Sequence, residues 1–424
     1  MKILWLSVNS GLYNNLQSPN SYYNGGGWIS SLQKLILMTD NTLALAYITH
    51  TQQKKEIQDK TIYYPIYEAS KNSYQKIKEY YGGYKKKNNK KYLDQIERII
   101  QDFQPDIIHL FGLENPLATI LGNTSVPIVV HLQGLLAPCD NAFFPVGFNK
   151  SSFLFPFSKR EWIYRNGYIF AKENIHIRGQ IELDLFKKVH YAMGRTNWDH
   201  QISQLLSPKS NYFHVDEVLR EPFYEKAGSW LYHNNKDLRI VSTLSNTIYK
   251  GLDVILKTAL LLQQEGVSFK WQIIGIRQQD PIIRFFEKKI HIVSQDVNIE
   301  YIGVLNDKQL CNKLLENHIY VHPSYIDNSP NSVCEAQLIG MPVIGTYVGG
   351  IPSLISNEKD GLLVPANAPF ELAYLLKKCS LEKDFASKIG RQGFITAAQR
   401  HNKATILKDL LHTYSSIINT HDNI

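Results

Sequence analysis

Apolar residues in this chain fall into short unbroken runs, separated by longer stretches in which they recur with a helical period. Lys2 to Val8 is the first run, of the kind that suits a strand buried on both faces. After Gly25-Gly26-Gly27 the period changes, and an amphipathic helix is expected from Trp28 to Met38. Further strands are expected at Leu43 to Thr49, at Ile107 to Phe111 and at Ile128 to His131, the last two each starting just past a proline. Residues 51–92 are polar and rich in Tyr and Lys, and close on the basic run Lys85 to Lys91.

Residues 141–180 break the alternation with many aromatic and basic side chains, and read as an irregular insertion followed by a helix. The pattern resumes with a helix near Ile181 to Val189 and a strand at Tyr191 to Gly194. A polar stretch from Glu225 to Asp237 reads as a linker, beyond which a second set begins at Leu238 to Ser242. Leu252, Ile255, Leu256, Ala259 and Leu260 lie on one helical face, and Gly266 can end that helix. Strands are then expected at Trp271 to Gly275, Ile299 to Ile302, Ile319 to His322, Pro342 to Thr346 and Leu362 to Val364. Strands alternating with helices imply two parallel sheets covered on both faces, an α/β chain of two Rossmann-like domains. The boundaries expected are 1–228 and 229–395, with a C-terminal helix over 396–424 packing back toward the first domain.

Composition narrows this picture. A chain of 424 residues exceeds one ordinary core, which agrees with two domains. The net charge of +8 points to an anionic partner such as a nucleotide diphosphate, a lipid phosphate or a membrane surface. Nucleic acid is not expected, because 38 acidic residues are interspersed with the basic ones. Cys139, Cys311, Cys334 and Cys379 show no metal-ligand spacing and read as reduced thiols. With no signal-peptide core and no long apolar run, a cytoplasmic location is expected.

The chemistry concentrates between His322 and Ala336. A strand ends near His322, a loop follows, and Ser329-Pro330 can cap and open a helix. Such a helix N-terminus, at the carboxyl end of a strand, is where open α/β sheets receive anionic ligands. Asp327 stands just before the helix and Glu335 about five residues into it, so two carboxylates flank the anion position.

This segment resembles the acidic-x7-Glu motif of the retaining, family-4 glycosyltransferases of GT-B fold, in which two Rossmann-like domains face each other across a cleft. Gly340-Met341-Pro342-Val343-Ile344, Val348-Gly349-Gly350-Ile351-Pro352 and Asp360-Gly361-Leu362-Leu363-Val364-Pro365 continue the resemblance in order. It implies that Glu335 holds the donor ribose, that Asp327 contacts the transferred sugar, and that Asn331 and Ser332 lie beside the phosphates. Lys250 would neutralise the leaving diphosphate. The Gly-Arg pair usual upstream is replaced by Ser242-Thr243, with Arg195 or Arg277 as substitute cations. Gly26 and Gly27 match a glycine loop at the donor phosphate, and Gln133 stands at a histidine position facing the sugar.

The resemblance further implies a nucleotide-sugar donor, a sugar or lipid-linked sugar acceptor, no obligatory metal, and a role in surface polysaccharide biosynthesis. A GT-B sugar-nucleotide epimerase and an inactive nucleotide-sugar-binding subunit are the alternatives. The Lys85 to Lys91 run and the aromatic insertion raise the expectation of a peripheral contact with the inner membrane face.

Overall fold

The computed structural model describes residues 1–13, 27–69, 90–153 and 167–421. Its first sheet has eight strands: β1 Lys2–Ser7, β2 Thr42–Thr49, β3 Glu56–Gln58, β4 Thr61–Tyr67, β5 Ile107–Phe111, β6 Ile128–His131, β7 Tyr191–Gly194 and β8 Asn211–His214. They lie in the order β3-β4-β2-β1-β5-β6-β7-β8, all parallel except the edge pair β3–β4. The second sheet comprises β9 Leu238–Thr243, β10 Phe269–Ile274, β11 Ile299–Gly303, β12 Ile319–His322, β13 Val343–Thr346 and β14 Leu362–Val364. Its order is β11-β10-β9-β12-β13-β14, parallel throughout. Strands such as β1, β5 and β6 are buried almost end to end, because helices cover both faces. One face of the first sheet is closed by helix Lys403–His421, through Ile406, Leu410, Tyr414 and Ile417.

Several elements differ from expectation. Within the polar stretch 51–92 lie β3, β4 and the start of helix Lys90–Phe103. Polar Thr and Tyr side chains and Pro65 disguise β4, yet Tyr63 and Ile66 on it are buried. The helix after the insertion begins at Tyr168 and runs to Phe186. Its apolar residues are not gathered on one face, so no period announces it. The expected linker at 225–237 is not a free tether. Helix Glu221–Glu225 packs on helices Asp307–Leu315 and Asn331–Leu338. Beyond it, the Gly228 and Trp230 N–H groups donate to Leu338 and Ile339 carbonyls. The chain therefore joins the second domain ahead of residue 229. The C-terminal helix starts at Lys403, not 396, because helix Lys383–Arg400 runs on through 396–400.

Residues 85–89 of the basic run and the aromatics at 155 and 157 lie outside the described residues. The described aromatics of the insertion do not form an exposed face. Phe143 and Phe153 are buried, and Phe153 stacks on Phe285 of the second domain with ring centroids 4.4 Å apart. Lys91 pairs with Glu68 at 3.6 Å. No helix among the described residues is long and apolar enough to cross a membrane.

Candidate functional site

The site lies where the carboxyl ends of the two sheets meet. β12 ends at His322, and the loop after it leads to helix Asn331–Leu338. The helix starts one residue later than expected: Pro330 is its N-cap and makes no side-chain cap bond. Its first-turn N–H groups are thereby left uncapped by any side chain, as an anion site requires.

Asp327 sits on that loop, with Lys250 Nζ 2.6 Å and His322 Nε2 3.0 Å from its Oδ2. Burial pushes the Asp327 carboxyl up, but Lys250 and His322 outweigh it and hold the group well below the usual carboxylate range. Burial pushes His322 down, against the pull of Asp327.

Two glycines make this arrangement possible. Gly251, after Lys250, has φ +81, and a Cβ there would collide with the Pro323 carbonyl. Gly349 has φ +53, and a Cβ would run into the Asp327 carbonyl, which accepts from the Gly350 N–H at 3.0 Å. The Lys250 turn, the Asp327 loop and the Val348-Gly349-Gly350 turn are thus pressed together backbone to backbone.

Glu335 is 1% exposed, and both its oxygens are taken by Arg220: Nε to Oε1 and Nη2 to Oε2, each 2.6 Å. The Arg220 stem runs past Gly27, where an added Cβ would stand 3.2 Å from Cδ. Gly27 opens helix Gly27–Ile36; Gly26 lies outside the described residues. Arg195 is buried and tied to Glu217, with Nη1 2.5 Å from Oε2. It also donates to Gln133 Oε1 at 3.4 Å. Glu217 accepts from Asn331 Nδ2 at 3.2 Å, and burial raises its pKa despite Arg195. Ser332 stands in the first turn of helix Asn331–Leu338, and the Tyr320 hydroxyl meets Thr243 Oγ1 at 2.6 Å.

Thr196 Oγ1 donates to Asn328 Oδ1 at 2.8 Å, Asn328 Nδ2 to the Gln133 carbonyl at 3.3 Å, and the Asn197 N–H to Ser353 Oγ at 2.9 Å. These bonds join the two domains across the cleft. The structure therefore brings Gly27, Gln133, Arg195, Asn331 and Glu335 into one linked group, with Lys250–Asp327 beside it. It leaves Arg277 apart, exposed on the loop after β10, where its backbone N–H meets Asp280. Ser242 is structural: its hydroxyl bonds the Val321 carbonyl and receives Trp271 Nε1. Sequence reasoning missed Arg220, Glu217 and His322. The only signal was position, since Glu217 and Arg220 follow the last strand of the first domain and His322 ends the strand before Asp327.

Residues 231–395 match the family described as Glycosyl transferases group 1. The chain is 27% identical over 180 residues to WcaL of Escherichia coli K12, named as a colanic acid biosynthesis glycosyltransferase. That match covers 41% of this chain and 44% of the relative. It is 28% identical over 154 residues to the amylovoran biosynthesis glycosyltransferase AmsK of Erwinia amylovora, covering 34% and 37%. The matched stretch thus spans less than half the length of either relative. Among solved structures, sucrose-phosphate synthase from Thermosynechococcus elongatus superposes with a TM-score of 0.72 at 11% identity, over 99% of this chain and 100% of that one. HepE of Anabaena, solved with UDP and glucose, gives 0.60 at 14% identity, over 98% and 100%. The chain has the GT-B fold, and its residues 231–395 match the glycosyl transferases group 1.

Proposed function

We propose that this protein is a retaining glycosyltransferase that moves a sugar from a nucleotide-sugar donor to an acceptor hydroxyl in surface polysaccharide biosynthesis. The observation that carries the reading is the placement of Lys250–Asp327 and of Glu335 on either side of the N-terminus of helix Asn331–Leu338. A diphosphate at that N-terminus would have a fixed cation beside it and a carboxylate at each end, one for the ribose and one for the sugar.

In this reading Lys250 offsets charge on the departing diphosphate, a contribution greatest in the transition state. Asp327, kept ionised by Lys250 and His322, accepts hydrogen bonds from sugar hydroxyls. Gln133 and Arg195 position the donor from the first domain, and Asn331 and Ser332 line the phosphate loop. The leaving phosphate takes the acceptor's proton on the same face, so the anomeric configuration is kept. No metal is required, because Lys250 and the helix end supply the positive charge, and turnover should survive a chelator.

The test has two stages. Thermal stabilisation by UDP-, GDP- and ADP-sugars identifies the donor, since a ligand bound only to the folded state raises its stability. NMR of the product made from that donor then reads the anomeric configuration. Inverted product would refute the retaining mechanism. Turnover of the donor without any acceptor would favour an epimerase.

A further inference from the structure

Glu335 is the carboxylate this reading assigns to the ribose, yet its oxygens both face a guanidinium. With 1% of the residue exposed, ribose hydroxyls cannot reach it while Arg220 stays where it is. The cation itself is more accessible, with 28% of its side chain exposed. Among the described residues, its third nitrogen, Nη1, carries no hydrogen bond. Its stem lies along Gly27, at the start of a ten-residue helix with no acidic residue in its first turn. The guanidinium of Arg220 thus meets a buried carboxylate, while its Cγ and Cδ pass the first residue of a helix whose positive end has no first-turn acid beside it.

We propose that Arg220 is an exchange cation of the donor site: the ribose hydroxyls displace it from Glu335, and the released guanidinium binds the donor's diphosphate near Gly27. This rests on the donor-site reading above and adds a residue and a sequence of events to it. The exchange is chemically balanced. Glu335 trades two charge-assisted bonds for two hydroxyl donors, and Arg220 trades a carboxylate for a phosphate that fits its planar fork equally well. A nucleoside lacking phosphates would gain Glu335 but leave Arg220 without a replacement anion. Binding should consequently select for the diphosphate by more than the direct attraction of Lys250. Arg220 also follows directly on Val218 and Leu219, where the chain passes between the domains, so its movement is available without unwinding a helix.

The test measures binding of UDP, GDP and ADP, and of the matching nucleosides, to the full chain and to Arg220→Ala by calorimetry. The expected result is a roughly 10- to 100-fold weaker affinity for the preferred diphosphate in the variant, with nucleoside affinity unchanged or higher. Equal weakening of nucleoside and diphosphate would overturn the proposal, because Arg220 would then only brace Glu335. Undiminished diphosphate affinity would overturn it too, since the guanidinium would not meet the phosphates. Arg220→Lys, which keeps a charge and loses the fork, serves if the alanine variant does not fold. It should keep nucleoside affinity and lose a smaller factor for the diphosphate, and an equal loss of both would again overturn the exchange. Wild-type protein that binds none of the three diphosphates would remove the donor-site reading itself, an outcome distinct from any difference between wild type and variant.

Discussion

Lys250 and Asp327 lie 77 residues apart in sequence, and Arg220 and Glu335 lie 115 apart, so the site is assembled by the fold. A motif read along the chain could place Asp327, Asn331 and Glu335 together because one loop and one helix carry all three. It could not find Arg220 or Glu217, which reach the site from the chain crossing between domains and belong to no local pattern. Lys250 carries a kinetic prediction. Its charge attracts the diphosphate weakly in the ground state and strongly as charge builds on the leaving group. Lys250→Ala should therefore lower kcat by a larger factor than it raises KM, a split that steady-state kinetics resolves. Normal turnover would mean another cation serves the leaving group.

At the scale of elements, the parallel strands with continuous apolar runs were legible, and the mixed or irregular elements were not. β5, β6, β12 and β13 are buried at every position and read as such, whereas β4 carries Tyr, Thr and a proline, and helix Tyr168–Phe186 lacks an apolar stripe. Turns were legible only as glycines, and the structure supplies their purpose. Gly349→Ala would force a left-handed residue and a clash with the Asp327 carbonyl, costing upward of about 1 kcal/mol. It should also shift the Asp327 loop, so turnover should fall by more than the loss of folded protein explains. Melting curves and turnover on the same sample separate the two effects.

Helix Lys403–His421 offers a prediction in pH. Tyr414 on this helix meets His109 Nδ1 at 2.5 Å, and His109 Nε2 meets His131 Nδ1 at 3.1 Å, inside the first sheet's core. Burial pushes His109 from 6.5 down to about 3. A depressed histidine keeps the folded state neutral while the unfolded chain takes up a proton. Its contribution is fully present above about pH 6.5 and is lost progressively as pH falls toward 3. Between about pH 7 and pH 5 this one group should remove about 2 kcal/mol of stability. Denaturant midpoints at the two pH values measure the loss, and His109→Gln should reduce the dependence by about that amount, with other buried histidines such as His131 and His401 still contributing. An unchanged pH dependence in the variant would show that His109 is not the titrating group.

For the whole molecule, the two sheets could be expected from alternation alone, but not how the domains are held to each other. Among the described residues, contacts at several separate places do this. Polar bonds from Thr196, Asn197 and Gln133 cross the cleft, helix Lys403–His421 returns the chain to the first sheet, and the aromatic insertion reaches over the second domain. The insertion's residues looked like a surface because Phe and Lys are interleaved there. In the fold, Phe143 and Phe153 join the second domain's core, and Tyr168 donates to Asn246 Oδ1 at 2.7 Å. Phe153 stacked on Phe285 is the part of this bridge that can be tested cleanly, since neither ring is polar and both are buried. Each single alanine variant should cost about 3–5 kcal/mol, as truncation of a buried Phe does. If the stack couples the domains, the double variant should cost less than the sum of the singles by about 1 kcal/mol or more, the excess that neighbouring rings share. Chemical denaturation of the four proteins closes the cycle. Additive losses would mean that the Phe153–Phe285 stack contributes no coupling between the two halves.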